Sequence, residues 1–263
     1  MRIATYNVWN ESRNMESRIE QLITEINQVD ADVIGLQEVT EDFFNNHLKK
    51  KTQYQHCEFK KYRDYEEGLA ILSKYPITKS FFLNESAEYA YSAALNVLFE
   101  VEGLRFSLTN LHLPWASAKE KEEQIVAIDK YMHMQKEEAD FFIILGDFNG
   151  SLNSSVHRFL LGEQTIEGNE ANPYWYEVSS SYAAVNGLAV IPTLDFVKNP
   201  RWGGRNTTEI PIPADRIYLM LNYGGKFEEN LKNVDIFGTK VSEINKLSAS
   251  DHYGVVAQID FIL

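Results

Sequence analysis

The sequence is poor in the features that mark a secreted or membrane protein. It contains a single cysteine, Cys57, so no internal disulfide can form and no oxidising compartment is required. It has no apolar run close to the roughly 18 residues of a membrane span. Its first residues enter a strand pattern without the long apolar stretch of a signal peptide. We therefore expect a cytoplasmic protein that does not insert into a membrane.

Basic residues are also scarce. The chain has 25 lysines and arginines against 38 acidic residues, which gives a formal net charge of −13. Proteins that grip long stretches of nucleic acid usually present a basic face. The balance therefore argues against a high-affinity binder of long DNA, although a local basic patch would be enough for a nuclease.

Internal repeats and low-complexity tracts are absent as well. The 263 residues, 44% of them hydrophobic, can bury a sizeable core in one large α/β domain or in two small ones. Strands followed by polar loops recur from end to end, which favours one domain over residues 1–263. We expect this domain to be a monomer.

The apolar spacing predicts a mixed α/β fold. Helical spacing is seen at residues 15–29, 41–51, 117–136 and 154–161. Strand patterns are seen at residues 2–8, 33–36, 54–59, 68–73, 77–83, 93–101, 105–111, 141–145, 214–220, 234–237 and 252–261. Residues 162–213 are the least regular part of the chain, and their aromatic residues argue against disorder. The order of elements fits two packed sheets with outer helices.

Four apolar runs, spread along the whole chain, each end in carboxylate, amide or imidazole groups. These are the groups that metal-assisted hydrolysis of a phosphate ester uses. One such run would mean little, whereas four indicate that strand ends converge on one ion and one phosphate. The segments are residues 31–38, 110–113, 145–149 and 250–252.

Glu38 and Asn7 are the first candidates. Glu38 follows a buried run at a predicted strand end, and Mg²⁺ is held in proteins by one or two carboxylates, with water and substrate in the other positions. The alternative is an ordinary charge at a strand exit. Asn7 ends the first strand, where its amide can hold a metal-bound water or a neighbouring carboxylate. An asparagine there is otherwise a turn former.

Asp147 and Asn149 follow a buried run and Gly146, which permits a tight turn or a close backbone approach. A carboxylate at this place can orient or deprotonate the attacking water. An amide N–H can donate to a phosphoryl oxygen as charge builds up there. The competing interpretation is an Asx turn after a strand, so the motif needs its partners to carry weight.

Two imidazoles complete the set. His112 lies at a strand end, and Asp251 and His252 begin the last predicted strand. A carboxylate bonded to His252 would hold its tautomer and raise its basicity, and Asp215 is the candidate for that group. The other histidines lie in charged surroundings and are predicted to be surface residues: His47, His56, His133 and His157.

These motifs resemble those of the endonuclease/exonuclease/phosphatase superfamily, in the same order and over essentially the whole chain. The residues that carry the resemblance are Asn7, Gln37-Glu38, His112, Gly146-Asp147-Phe148-Asn149, Asp215 and Ser250-Asp251-His252. The resemblance implies a deoxyribonuclease I-like, four-layered α/β/β/α sandwich of two packed mixed sheets flanked by helices. It also implies an active site at one mouth of the sheets and hydrolysis of phosphodiesters or phosphomonoesters with Mg²⁺ or Mn²⁺.

The resemblance further implies a role for each residue. Glu38 would bind the metal, with Asn7 and Asp251 beside it. Asp147 would orient or activate the water, and Asn149 would contact the scissile phosphate.

On the other side of the phosphate, His112 would make a second contact. His252, held by Asp215, would stabilise the phosphate or act as general acid. Glu67 would support His112, as a similarly placed acid does in secreted deoxyribonucleases.

The region before Asp215 bears on the substrate. Asp-Arg-Ile at residues 215–217 resembles deoxyribonucleases, inositol-polyphosphate phosphatases and tyrosyl-DNA phosphodiesterases, whereas exonuclease III-like repair enzymes more often have Arg-Ile-Asp. Arg201 and Arg205, with Trp202, would bind a phosphate and a base or ring. The alternative is an exposed turn with solvated charges. Trp115 would either flank the cleft or pack.

Together these observations predict a divalent-metal-dependent phosphohydrolase, specifically a phosphodiesterase that cleaves a P–O bond with an activated water. The acidic balance favours a small molecule or a short nucleic acid as substrate. Two alternatives stay open: a DNA endonuclease or exonuclease, and a non-catalytic binding protein that has kept the sandwich. The binding protein is disfavoured because a retired site has no reason to hold Glu38, Asp147, Asn149, Asp251 and His252 together.

Overall fold

The structure, a computed structural model, describes residues 1–11, 15–86, 90–203, 209–221 and 228–262. Its strands are β1 (Arg2–Asn7), β2 (Val33–Thr40), β3 (His56–Lys61), β4 (Glu67–Ser73), β5 (Ile77–Leu83), β6 (Ala94–Val101), β7 (Leu104–His112), β8 (Phe141–Asp147), β9 (Trp175–Glu177), β10 (Asp215–Met220), β11 (Glu228–Phe237) and β12 (Gly254–Ile262). Its α-helices are α1 (Met15–Val29), α2 (Lys49–Lys51), α3 (Ala118–Met134), α4 (Ser155–Leu160) and α5 (Val178–Asn186).

These strands form two mixed sheets of six strands each. The first sheet has the order β11-β12-β1-β2-β4-β3, and the second has the order β5-β6-β7-β8-β10-β9. β1 and β2 are parallel in the first sheet, and β7 and β8 are parallel in the second. Since two parallel neighbours need a crossover connection, each pair is joined by a helix, α1 in the first case and α3 in the second.

The two sheets pack face to face, and helices cover their outer faces. One apolar cluster fills the space between the sheets, with side chains from both. A second cluster joins α1 to the outer face of the first sheet, and a third joins α3 and α4 to the outer face of the second. The layers are therefore α/β/β/α, and the predicted sandwich is confirmed. Within the described residues, no helix combines the length and the apolar character needed to cross a membrane.

Strand alternation decides which polar residues reach the mouth between the sheets. Successive side chains of a strand point to opposite faces. In β8, Ile143 and Leu145 face the core between the sheets, and Asp147 is the next side chain on that face. The corresponding positions at the ends of three other strands are occupied by Asn7, His112 and Asp215. Where these strands end at one edge of the sandwich, the apolar core gives way to polar groups.

The helix predictions agree with the structure, which adds one helix that was not predicted. The helix over residues 15–29 is confirmed as α1. Residues 41–51 are helical throughout, as predicted, and their central part, Phe43–Leu48, is a π-helix that precedes the short α2. The least regular stretch, residues 162–213, also contains β9 and α5.

Capping explains the helix that the apolar pattern missed. The carboxylate of Glu177 accepts hydrogen bonds from the backbone N–H groups of Ser179 and Ser180, at 2.9 and 2.6 Å, and so caps the first turn of α5. Gly187, with φ of 64°, ends the helix in the left-handed conformation. A serine-rich sequence with little apolar periodicity is thus made helical by its two ends.

Two of the displaced strand boundaries lie in edge strands. β3 begins at His56 instead of residue 54, and β11 begins at Glu228 instead of residue 234. Both are edge strands that pair on one side only. Their limits are therefore set by the neighbouring strand, which the local sequence pattern does not contain.

Candidate active site

Strand register places four of the predicted residues at one mouth of the sandwich. In the second sheet β8 lies between β7 and β10, so Asp147 is opposite His112 on one side and opposite Asp215 on the other. In the first sheet Asn7 is opposite Gln37, which puts Glu38 one residue further along. Residues distant in sequence therefore meet because of pairing between strands.

Glu38 was predicted to lie at the end of its strand. It lies within the strand instead, because β2 continues to Thr40. The register with β4 shifts between Leu36 and Val39, and Glu38 has a positive φ of 58°. Such a bulge bends the strand and redirects a side chain. The Glu38 carboxylate accepts a hydrogen bond from Asn7 Nδ2 at 2.9 Å and one from the backbone N–H of Asn10 at 2.8 Å.

Asn7 is buried and joins the two sheets. Its Nδ2 donates to Glu38 Oε1 at 2.9 Å and to Asp147 Oδ2 at 3.0 Å. Its Oδ1 accepts from the backbone N–H of Trp9 at 2.9 Å, and its carbonyl accepts from Ser250 Oγ at 2.7 Å. The amide therefore presents nitrogen to the carboxylates, which suits a residue that aligns them.

Asp147 ends β8, and Asn149 lies in the loop after it, which is tied down at several points. The backbone N–H of Asn149 donates to Asp147 Oδ1 at 2.8 Å, and its side-chain nitrogen donates to the Leu113 carbonyl at 2.9 Å. Lys121, from the start of α3, donates to the Asn149 carbonyl at 2.5 Å. The Asx-type turn foreseen for this motif is present, and it fixes the carboxylate at the mouth.

Asp215 and His252 form a buried pair. Asp215 Oδ2 lies 2.8 Å from His252 Nδ1, and the other ring nitrogen, Nε2, lies 3.8 Å from Asp147 Oδ2. Asp215 is itself held, because its backbone N–H donates to Thr193 Oγ1 at 2.9 Å. The prediction that Asp251 and His252 begin the last strand is wrong. Both residues lie in the loop before β12, which starts at Gly254.

The surroundings of His252 favour its protonated form. Burial alone would lower its pKa, but the carboxylates of Asp215 and Asp147 raise the pKa well above its usual value. With Nδ1 held by Asp215, the proton on Nε2 faces Asp147 and the mouth. This arrangement provides a positioned N–H donor beside a carboxylate.

Asp251 adds a further acid, and the same loop holds it. Burial raises its pKa to about 6, and the nearby charges of Glu38 and Asp147 raise it as well. The Trp202 indole N–H donates to the Asp251 carbonyl at 3.1 Å. Several carboxylates packed this closely are unfavourable together unless a cation or a proton is shared among them.

His112 closes the opposite side of the site. Its Nε2 lies 3.6 Å from Asp147 Oδ2 and 4.0 Å from Glu38 Oε1. Its Nδ1 is buried and has no hydrogen-bond partner among the described residues. Glu67 does not bond to it, contrary to prediction, because the Tyr91 hydroxyl donates to the Glu67 carboxylate. The Tyr91 ring instead contacts the imidazole edge-to-face, at 5.6 Å between centroids.

The predicted substrate residues have different outcomes. Arg201 lies beside the site, where its Nε donates to the Ser248 carbonyl at 2.8 Å and its guanidinium covers the ring of Trp9. Arg205 lies outside the described residues. Trp115 is 80% exposed, so the alternative in which it packs is wrong.

His157 is buried, not a surface residue as predicted. Its Nδ1 lies 2.7 Å from the Tyr218 hydroxyl and 3.1 Å from Nη1 of the buried Arg216. Burial and the neighbouring guanidinium lower the pKa of His157 to about 4. Arg216 also donates to the Gly150 carbonyl at 2.8 Å, so this pair supports the loop after Asn149.

Several supporting residues were not identified from sequence. Asn110 crosses between the sheets, donating to the carbonyls of Leu36 and Ala70 at 2.9 Å each and accepting from Gln37 Nε2 at 2.6 Å. Arg18 is fully buried in an amphipathic helix, where an arginine reads as a surface charge. Asn110 had a signal in the sequence, since it is a polar residue within the segment 110–113 that contains His112. Arg18 had none.

Two sets of side chains at the mouth can hold a cation. Glu38 and Asp251, with Asp147 nearby, offer hard oxygen donors of the kind that Mg²⁺ and Mn²⁺ prefer. Ligand atoms of Asp147, Asp215 and His252 also lie within 4.8 Å of one another. In this second set Asp215 already engages His252 Nδ1, which fits a hydrogen-bonded dyad better than a metal centre.

Several solved structures resemble the chain in fold. Zebrafish (D. rerio) TDP2 complexed with a single-strand DNA product has a TM-score of 0.78 and 16% identity, covering 99% of this chain and 98% of that one. A functionally unknown conserved protein from Enterococcus faecalis V583 has a TM-score of 0.73 and 20% identity, covering 99% of each chain. The human Nocturnin catalytic domain has a TM-score of 0.72 and 15% identity, covering 100% of this chain and 94% of that one.

At such identities the structural likeness establishes the fold alone. No curated protein matches the chain in sequence. The sequence model of the Endonuclease/Exonuclease/phosphatase family matches residues 4–263, which include each of the site residues described above. This chain therefore belongs to the Endonuclease/Exonuclease/phosphatase family.

Proposed function

We propose that the protein is a divalent-metal-dependent phosphoric ester hydrolase that cleaves phosphodiesters with an activated water. The observation that carries the proposal is the position of Asp147. Its Oδ2 lies 3.0 Å from Asn7 Nδ2, 3.6 Å from His112 Nε2 and 3.8 Å from His252 Nε2. One carboxylate surrounded by an amide and two imidazoles can accept a proton from water beside groups that neutralise a phosphate.

In this proposal Glu38 and Asp251 hold the cation, which is Mg²⁺ or Mn²⁺. The chemistry of the donors fits such an ion, and the raised pKa of Asp251, caused by burial and by Glu38 and Asp147, indicates crowded negative charge. Asn7 aligns the Glu38 carboxylate, because its nitrogen faces that group. When bound, the cation would neutralise phosphoryl oxygens and help the leaving oxygen depart.

The remaining residues act on the water and the phosphate. Asp147 orients the water for in-line attack and takes its proton. Protonated His252 donates from Nε2 to a phosphoryl oxygen, while Asp215 holds the ring through Nδ1. His112 contributes a second imidazole, and Asn149 borders the same position with its side-chain nitrogen anchored on the Leu113 carbonyl.

The test is hydrolysis of bis(p-nitrophenyl) phosphate with Mg²⁺, with Mn²⁺ and with EDTA. Asp147→Asn should lower kcat by roughly 10²- to 10⁴-fold, because it removes the base and leaves the volume unchanged. Asp140→Asn is the matched control, since Asp140 directly precedes β8 and Asp147 ends it. Equal turnover with EDTA and with metal would contradict the metal-dependent mechanism, and equal activity of the two variants would contradict the role of Asp147.

A nuclease is the second candidate, favoured by the TDP2 structure that contains a single-strand DNA product. The net charge of −13 favours a short strand over long duplex DNA. A protein that grips the phosphate backbone loses affinity steeply as salt rises. A flat salt dependence of KM on oligonucleotides would therefore favour the small diester as substrate. A non-catalytic binding protein would show metal-dependent phosphate binding and no turnover on a broad panel of phosphate esters.

A further inference from the structure

The loop that carries Arg201 is bonded directly to the loop that carries Asp251 and His252. Asn199, fully buried, donates from Nδ2 to the Ser250 carbonyl at 3.1 Å and accepts from Ser248 Oγ at 2.7 Å. Arg201 Nε donates to the Ser248 carbonyl at 2.8 Å. The backbone N–H of Arg201 donates to Asn199 Oδ1 at 3.0 Å, so these bonds fix Arg201 with respect to the proposed metal side of the site.

The Arg201 side chain is held as firmly as its backbone. Its guanidinium lies 5.2 Å from the centre of the Trp9 ring, and the guanidinium of Arg18 lies 4.7 Å from the same ring. Two cations thus contact the ring of one indole. Arg18 anchors this stack, because it is buried and donates to the carbonyls of Val8, Trp9 and Glu11 at 2.6 to 2.8 Å.

The guanidinium of Arg201 has one buried nitrogen, Nη2, that makes no hydrogen bond to the described residues. A buried guanidinium donor without an acceptor is unfavourable, and an acceptor supplied by a ligand resolves it. A planar fork stacked on an aromatic ring suits a phosphate oxygen in particular.

The position of Arg201 indicates which phosphate it would meet. Its Nε is bonded to the Ser248 carbonyl, and the indole N–H of the adjacent Trp202 donates to the Asp251 carbonyl at 3.1 Å, so Arg201 lies on the Asp251 side of the site. His112 and His252, by contrast, both lie within 4 Å of Asp147. Arg201 therefore flanks the reacting position instead of occupying it.

We infer that Arg201, stacked on Trp9, binds a second phosphate of the substrate, next to the scissile one. The inference rests on the proposed function and narrows its substrate class. The preferred substrates are then phosphodiesters that carry a further phosphate one sugar away, as in a short oligonucleotide or a phosphorylated nucleotide ester. A diester with a single phosphate leaves the Arg201 donor without an acceptor.

The test uses two p-nitrophenyl phosphate esters of thymidine, one attached at the 3′ hydroxyl and one at the 5′ hydroxyl. Each ester is compared with the same compound that carries a second phosphate on the remaining hydroxyl. For wild type we expect a higher kcat/KM with the second phosphate in one of the two arrangements. Arg201→Gln should reduce that preference by roughly 10- to 100-fold, as expected for the loss of a charge-assisted hydrogen bond. Arg201→Lys, which keeps the charge without the planar fork, should restore part of it.

Arg105→Gln is the control, because Arg105 pairs with Asp140 beside the start of β8, at the end away from the site. It should leave the preference as in wild type. A wild type with no preference, or an Arg201→Gln variant that loses the same factor on all substrates, would overturn the inference. If Arg201→Gln does not fold, as shown by thermal unfolding, Trp9→Leu replaces it, with a smaller loss of preference expected.

Binding separates this inference from the proposed function. If wild type hydrolyses none of the esters, the proposed function fails, and calorimetry with thymidine monophosphate and thymidine bisphosphate still tests Arg201. Tighter binding of the bisphosphate that is lost in Arg201→Gln supports the inference. Equal affinity of wild type for the two nucleotides contradicts it.

Discussion

Asn7 and Asp147 are 140 positions apart in the chain, and the Asn7 side-chain nitrogen donates to Asp147 Oδ2 at 3.0 Å. The same nitrogen donates to Glu38 at 2.9 Å. One amide thus keeps two carboxylates from opposite sheets close together, although their charges repel each other. The position of the proposed base relative to the proposed metal ligand depends on this contact.

Replacing Asn7 by Asp should test how much the amide contributes. The substitution keeps the shape and exchanges the donor for another negative charge between Glu38 and Asp147. We expect the free energy of unfolding in EDTA to fall by about 2 to 4 kcal/mol, because a buried donor is lost and like charges face each other. Added Mg²⁺ should recover part of the loss, as measured by urea unfolding.

Asn46 provides a matched control for this substitution. Its Nδ2 donates to Asp42 Oδ1 at 2.7 Å on the exposed surface, so Asn46→Asp makes the same change in water. The expected effect is within about 0.5 kcal/mol. Equal effects at the two positions would contradict a special role for Asn7.

The pair of Asp215 and His252 gives a prediction that is measurable without substrate. Asp215→Asn removes the carboxylate at 2.8 Å from Nδ1, so the pKa of His252 should fall and kcat should drop by roughly 10²- to 10⁴-fold. The pKa can be followed by NMR titration of the histidine ring protons. His157, whose pKa is lowered to about 4 by burial and by Arg216, is the internal reference and should not change. An unshifted His252 resonance would show that Asp215 does not set its charge.

Gly146 is the position where the backbone leading to Asp147 can carry no side chain. Its φ is 142°, and a Cβ there would lie 2.0 Å from the Leu111 carbonyl oxygen of the neighbouring strand. Gly146→Ala should therefore force β7 and β8 apart, at a cost of more than about 3 kcal/mol, and should displace Asp147. Chemical denaturation and the rate of diester hydrolysis measure the two effects.

Gly103 is the corresponding control, because it also has a positive φ, of 83°, but an added Cβ would meet no atom within 4 Å. Gly103→Ala should cost only about 1 kcal/mol of backbone strain and leave activity unchanged. A comparable loss at both positions would mean that strain, and not the close approach to Leu111, governs Gly146.

Glu25 should make stability depend on pH. It lies in α1 and accepts a hydrogen bond from the Tyr6 hydroxyl at 3.0 Å. Burial raises its pKa from 4.5 to about 7, so the folded state binds the proton more tightly than the unfolded chain does. Its contribution is therefore present below pH 4.5 and is lost as pH rises to about 7.

The side chain of the Glu25→Gln variant cannot titrate. The free energy of unfolding of this variant, relative to that of wild type, should therefore rise by about 1 to 3 kcal/mol as pH increases from 4.5 to 7. Glu20→Gln, on the same helix, is the control. The hydrogen bond from Lys51 lowers the pKa of Glu20 from 4.5, so its contribution to stability is present above that pH and is lost only as pH falls below it. The Glu20→Gln curve should therefore run nearly parallel to that of wild type as pH rises from 4.5 to 7. Urea unfolding of the three proteins is the measurement, and a Glu25→Gln curve that is also parallel to wild type would contradict the assignment.

Much of the fold and of the candidate site could be predicted because both depend on local patterns. Helical spacing over residues 15–29 and the apolar run before Asp147 correspond to α1 and β8. The motif around Asp147 and Asn149 carries its own turn, since the Asn149 N–H bonds to the Asp147 carboxylate two residues earlier. Local hydrogen bonds of this kind can be predicted from a short window of sequence.

The supporting residues could not be predicted in this way. Arg18 looks like a surface charge on an amphipathic helix, yet it is buried because the Ala249 carbonyl and the loop after β1 surround its guanidinium. Tyr91 takes the Glu67 carboxylate that was expected to hold His112. His157 is buried against Tyr218 and Arg216, which come from another strand.

The sequence by itself thus determined the alternation of strands and helices, the identity of the candidate catalytic groups and the turn that presents Asp147. Only the tertiary structure decided that β8 lies between β7 and β10, which places His112 and Asp215 on either side of Asp147. It also decided the bulge that turns Glu38 toward Asn7 and the stack of Arg201 on Trp9. The physical reason is that periodicity and capping act over a few residues, whereas strand order, register and burial depend on contacts between residues that lie far apart in the chain.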